Sequence, residues 1–278
     1  MDIRESRGFY DLCVNVSKND PKDLISLLSK LHEYEFRTIA INNDIDENVF
    51  GTDKKKKKKS EESEASHGIV SEPFDIESLQ KEFNGKLKIL SRITFHCSDA
   101  AKTHMLNHNS NLKKYDLYAF APKTQSAMQF ACTQLNVDII TLRPSSMTFK
   151  LTKKLYDQAI ERGVHFEIQY SDLINTESRK QAIHYSHLFY TYGKSKNVVI
   201  SSGASDIWTI RNPYDLINLA RLLGLNEVKA KASILHQCKS LLLRAERRRR
   251  GKAAFVIVNR TEADMTEESA SSPKRFRL

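Results

Sequence analysis

Short apolar runs begin near residues 10, 38, 89, 116, 138, 165 and 197, and a stretch with helical periodicity follows most of them. Apart from one long gap, these starts lie about 22 to 32 residues apart, the length of a strand, a connection and a crossover helix. Strands joined in this way must run parallel and cross over right-handed, and both of their faces are covered. Seven successive units in about 220 structured residues suit a closed (β/α)8-type barrel better than a six-stranded open sheet.

The last unit, residues 197–225, is the least ambiguous. Val198, Val199 and Ile200 make a β-branched run that ends in Ser201, Ser202, Gly203 and Ala204. Asn212 then reads as an N-cap, Pro213 as the first helical position and Asp215 as an acid at the positive pole. Leu216, Leu219, Ala220 and Leu223 keep helical spacing up to a stop at Gly224. Ligands of parallel α/β folds are met at the C-terminal ends of strands, which puts SSGAS and TIRN on the working side.

The gap in the rhythm falls at residues 46–84, where Lys54 to Lys59 form a run of six and SEESEASHG follows. It reads as a low-complexity insertion in one domain spanning residues 1–260, with a disordered tail at residues 261–278. The lysine run fits a nuclear-import signal, an RNA-grazing arm or a solvated loop. Net charge is +10, yet the insertion contributes −3 and the tail −1, so the rest carries +14. A body that basic favours a polyanion such as nucleic acid. Asn226 caps a further helix ending in RAERRRR, and Phe255 to Val258 offer a last strand.

Several chemistries lack their residues. None of the nine glycines is spaced as GxGxxG or GxxxxGK[ST], which argues against a phosphate-loop enzyme. Cys13, Cys97, Cys132 and Cys238 are scattered without a CxxC pair and are expected to be reduced, in cytosol or nucleus. No apolar run is long enough for a membrane span or a signal core. His104 and His108 are i, i+4 neighbours near His96, but HMLNH lacks the glutamate of a metalloprotease. His184 and His187, beside Tyr185, Phe189 and Tyr190, look like packing residues. His165 and Glu167 share a strand face, and a buried Glu167 needs a partner, either His165 or a barrel-interior arginine such as Arg92.

FYDLCVNVS, YDLYAFAPKT, VHFEIQYSDLI, NVVISSGAS and IRNPYDLINLARLLGL, in that order, resemble the barrel protein subunit, about thirty kilodaltons, of eukaryotic and archaeal ribonuclease P and ribonuclease MRP. The resemblance spans most of residues 9 to 258 and implies a TIM-like barrel of the polymerase-and-histidinol-phosphatase type. Enzymes of that type end the first strand in His-x-His. Here the place reads Cys13-Val14-Asn15-Val16-Ser17, which implies a barrel without that metal site. The lysine-rich insertion is not part of the family pattern.

The resemblance further implies a non-catalytic subunit that supports a catalytic RNA in removing 5′ leaders from precursor tRNA and in rRNA processing. Its partners would be that RNA, the other protein subunits and, through the complex, precursor tRNA, in the nucleus and its nucleolus. No cofactor, metal or catalytic residue is expected. The candidate RNA or partner contacts are Lys123, Arg143, Ser201, Ser202, Gly203, Arg211, Asn212, Arg247, Arg248, Arg249 and Arg250. A metal-dependent phosphoesterase of the same architecture and a non-RNA scaffold are the alternatives.

Overall fold

The computed structural model describes residues 8–15, 21–47, 70, 72–74, 76–99, 110–143 and 150–251. The six-lysine run, most of the helix expected at Asp99 to Lys113, the strand expected at Phe255 to Val258 and the C-terminal KRFR lie outside them.

Seven strands form one sheet in sequence order, every neighbouring pair parallel: β1 (Phe9–Asn15), β2 (Phe36–Asp46), β3 (Lys88–Cys97), β4 (Leu117–Pro122), β5 (Ile139–Thr141), β6 (His165–Gln169) and β7 (Val198–Ser201). Helices α1 (Pro21–Glu33), α2 (Ile76–Glu82), α3 (Gln125–Thr133) and α4 (Lys153–Glu161) come between the first six strands. After β6 come α5 (Tyr170–Ile174) and α6 (Arg179–Gly193), and after β7 come α7 (Pro213–Leu222), α8 (Glu227–Ser233) and α9 (His236–Arg250). α1 packs through the expected stripe of Leu24, Leu27, Leu28 and Leu31, each burial stabilising by roughly 1.5–3 kcal/mol.

α2 corrects the expectation of an insertion running to Asn84. Residues 76–82 are helical because Leu79 and Phe83 are both buried against the core, and Gln80 Nε2 donates to the carbonyl of Ile89.

The sheet closes where β7 meets β1, although β7 is only four residues long. The hydrogen bonds that bridge the seam come from the chain just past β7, where Gly203 N donates to Cys13 O and Asn15 N to Ala204 O, both at 2.8 Å. At the other end of the seam Tyr10 N donates to the carbonyl of Ile234, in the turn between α8 and α9. Gly203 has φ +61, and a Cβ there would lie 2.6 Å from Gln169 Oε1, so glycine answers both the turn and the close approach.

The barrel's floor is α9. Its Cys238, Leu241, Leu242 and Ala245 cluster with the inward residues Tyr10, Leu12, Ala40, Leu90, Leu117, Ala119, Ile139 and Val199. The arginines at its far end face the strands' N-terminal ends, where Arg248 Nε pairs with buried Asp138 at 2.9 Å and Arg249 Nη1 with Asp116 at 2.6 Å. Replacing fully buried Leu241 with alanine should cost about 2–5 kcal/mol in urea unfolding, whereas Leu243→Ala, 46% exposed, should be nearly neutral. Equal costs at the two positions would contradict α9 as the floor.

Candidate functional site

Above the apolar floor the interior turns polar. Arg92 on β3 and Glu167 on β6 are fully buried and meet as a two-pronged pair, with Nη1 to Oε1 at 2.5 Å and Nη2 to Oε2 at 2.7 Å. Thr141 and Ser201 donate their hydroxyls to Glu167 at 2.6 and 2.7 Å, and Arg92 also donates to Leu12 O at 2.7 Å. The network then climbs: Arg92 Nε reaches Thr94 Oγ1, Thr94 Oγ1 donates to Asn42 Oδ1, and Asn42 Nδ2 donates to Asn15 Oδ1. On the far side Gln169 donates to Glu167 and accepts from Arg143.

Burial alone would raise the Glu167 carboxyl, but the charge and hydrogen bonds of Arg92, with those of Thr141 and Ser201, hold it at about 2. Glu167 is thus a fixed anion. Arg92 is the interior partner expected for it; His165, also buried, belongs elsewhere, pushed down to about 4 by burial and by the charge of Arg244. At the mouth, burial would raise Asp44, yet the His96 hydrogen bond and the Arg143 charge hold it at about 2. Among the described residues no three His, Cys, Asp or Glu side chains converge as a metal would need. His104 and His108 lie outside the described residues. His184 and His187 are exposed, which corrects their reading as packing residues, because Tyr185 and Phe189 hold the buried face of α6.

The candidate contact residues divide. Ser201 and Ser202 are buried; Ser201 Oγ serves Glu167, Ser202 Oγ donates to Cys13 O, and Ser202 N donates to Asp11. Gly203 is spent on the seam. These three, expected as RNA or partner contacts, spend their polar groups inside the fold and hold the barrel shut. Lys123 pairs with Asp46, and Arg143 lies 3.5 Å from Asp44. Asn212 caps α7 as expected, accepting from Tyr214 N at 3.0 Å. Arg211 is exposed and folds back on the carbonyls of Trp208 and Ile210, on a turn that leaves Trp208 85% exposed. Within the arginine run, Arg248 and Arg249 brace the floor and Arg250 pairs with Glu246 at 2.6 Å. Arg247 is exposed.

Asp11 escaped the sequence reading, which had no signal for it beyond an acid in an apolar strand. It sits buried at the β1–β7 seam, accepting from Ser202 N at 3.0 Å and Cys13 N at 3.3 Å, and burial raises it to about 6. A folded-state value above the unfolded one means that protonation favours the fold, so Asp11 costs stability as pH rises from about 4 through 6. The stability difference between Asp11→Asn and the parent should therefore grow in the variant's favour across that window, by about 2–3 kcal/mol in urea unfolding. A difference independent of pH would contradict an elevated Asp11.

Comparison with known proteins places the chain in a family. The family described as RNase P subunit p30 matches residues 8–250. Ribonuclease P protein subunit p30 of Mus musculus is 31% identical over 265 residues, covering 94% of each chain. Protein GAMETOPHYTE DEFECTIVE 1 of Arabidopsis thaliana is 37% identical over 179 residues, 63% of this chain but only 31% of that protein. Ribonuclease P/MRP protein subunit RPP1 of Saccharomyces cerevisiae is 26% identical, covering 87% of this chain and 79% of its own. Among solved structures, a chain of the cryo-EM structure of archaeal Ribonuclease P with mature tRNA superposes with a TM-score of 0.63 at 17% identity, over 90% of this chain and 99% of that one, a likeness of fold. A match that runs through all seven strands and the floor helix, with a mouse relative aligned nearly end to end, makes this chain a member of the RNase P subunit p30 family.

Proposed function

We propose that this chain is a non-catalytic protein subunit of ribonuclease P, and of ribonuclease MRP, that supports the catalytic RNA in 5′-leader removal from precursor tRNA and in rRNA processing. The observation that carries the reading is the middle of the barrel. Arg92 fills the interior beneath the C-terminal face where active sites of this architecture sit, and its charge is already answered by Glu167, which Thr141 and Ser201 hold in turn. A guanidinium locked to a carboxylate offers no base with a pKa near neutrality. Family membership supports the reading, as do relatives named as ribonuclease P and ribonuclease P/MRP subunits.

The work of such a chain is done by its surface. Cations there meet phosphates by releasing counterions, which gives affinity with little sequence preference. The partners are then the catalytic RNA, its other protein subunits and, through the complex, precursor tRNA. The place of action is the nucleus with its nucleolus, reached through the lysines at 54–59 or the KRFR at 274–277, both outside the described residues.

Purified from its own cells under native conditions, the chain should bring down specific RNA, and its depletion should make precursor tRNAs with 5′ leaders accumulate. Recovery without RNA, and unchanged tRNA ends on depletion, would overturn the assignment. The isolated chain with Mg²⁺, Mn²⁺ or Zn²⁺ should show no turnover of RNA or simple phosphoesters; turnover that Asp44→Asn or His96→Gln abolishes would restore the phosphoesterase alternative.

A further inference from the structure

Two cations at the barrel's mouth are occupied by acids or amides, Lys123 by Asp46 and Arg143 by Asp44 and Gln169. A different set lines an open groove of about 540 Å³ where the C-terminal ends of α6 and α7 meet α8. His187, Tyr190, Lys194, Arg221, Gly224 and Lys229 form most of its wall, with no carboxylate among the lining residues. Among the described residues, no acid lies within ion-pair distance of Lys194, Arg221 or Lys229.

Cations at helix C-termini are ordinary, since they answer the negative pole, and that accounts for Arg221 in the last turn of α7 and Lys194 at the cap of α6. It does not account for Lys229. This residue stands in the first turn of α8, at the positive pole, where a cation is disfavoured. Its ammonium is nevertheless turned across the groove to donate to the carbonyl of Lys194. Lys194 in turn takes the left-handed region at φ +51, unusual for a residue with a side chain, and lays its ammonium 4.5 Å from the centre of the Tyr190 ring. Gly224, at φ +95, supplies the left-handed turn that ends α7 beside Tyr190 of α6. The fold thus gathers like charges around one opening without the acids that neutralise them elsewhere on the body.

We propose that this groove is a binding site for the RNA phosphodiester backbone, held by Lys194, Arg221 and Lys229 with His187 at its edge. The proposal rests on the ribonucleoprotein reading and adds the surface. The unneutralised cations are complementary to a polyanion, and a groove open to solvent lets a polymer pass through. Recognition is by charge, without base readout.

The test compares two full-length triple variants that lose the same charge. One is Lys194→Gln, Arg221→Gln, Lys229→Gln; the other removes Lys150, Lys153 and Lys154, whose residues are exposed at the start of α4. Binding of a single-stranded RNA is measured against salt. The groove variant should lose at least tenfold in affinity at low salt, with its log-affinity against log-salt slope shallower by about 2, while the other stays close to the parent. Both should unfold at the parent's temperature. Should the groove variant fold poorly, acetylation of the parent protein serves instead: RNA should protect Lys194 and Lys229 and leave Lys153 and Lys154 reactive. Equal losses in the two variants, or no protection of Lys194 and Lys229, would overturn the site while leaving the subunit reading in place. A parent chain that binds no RNA at low salt, and is recovered from cells without any, would remove both.

Discussion

The Arg92–Glu167 pair sets the terms for the interior. Two unit charges without exposed surface lose their hydration, a penalty that only close geometry and further hydrogen bonds offset. Hence Thr141, Ser201 and Gln169 surround Glu167 with donors, and Leu12 O and Thr94 receive the spare donors of Arg92. Thr141, Ser201 and Leu12 each sit on a different strand from the partner they hold, so the network ties β1, β3, β5, β6 and β7 across the barrel. An apolar interior would hold the strands without saying which must face which. A paired guanidinium and carboxylate do specify it.

The seam and the floor compensate for a short last strand. β7 presents only four residues, and the turn after it and the turn before α9 provide the backbone partners for β1 across the seam. Asp11 collects two amide donors at that seam. The floor is fixed in the same way: Asp138, buried near the start of β5, receives Tyr118 N and Arg248, while Asp116 before β4 receives Ser91 N and Arg249. The arginine run is thus partly a structural clamp, and the basic character of the body overstates how much of it is available to a polyanion.

The strand rhythm, the α1 leucine stripe, the Asn212 cap with Pro213 and the stop at Gly224 were legible because each depends on neighbours in sequence. The Arg92–Glu167 pair was half legible, since a carboxylate in an apolar strand demands a cation, though not which one. What sequence hid is what strand register and helix direction decide. Four consecutive arginines read as a nucleic-acid patch until α9 is seen to run beneath Asp116 and Asp138. Ser201 and Ser202 read as a ligand turn until the barrel closes over them. Lys194 takes the left-handed cap of α6, and Gly193 before it is needed because the Tyr156 ring occupies the space of a Cβ, 2.1 Å away. Residues 76–82 read as insertion because Leu79 and Phe83 are too few to set a period.

The central claim is that the barrel's interior is organised by one buried ion pair. It is tested most directly by a double-mutant cycle, with unfolding free energies for Arg92→Met, Glu167→Gln and the double variant. Each single change should cost about 3–5 kcal/mol, because it strands a buried charge or its donors, and the double variant should cost clearly less than their sum, with a coupling of at least about 2 kcal/mol. Additive losses, or single variants as stable as the parent, would show that the pair does not organise the barrel.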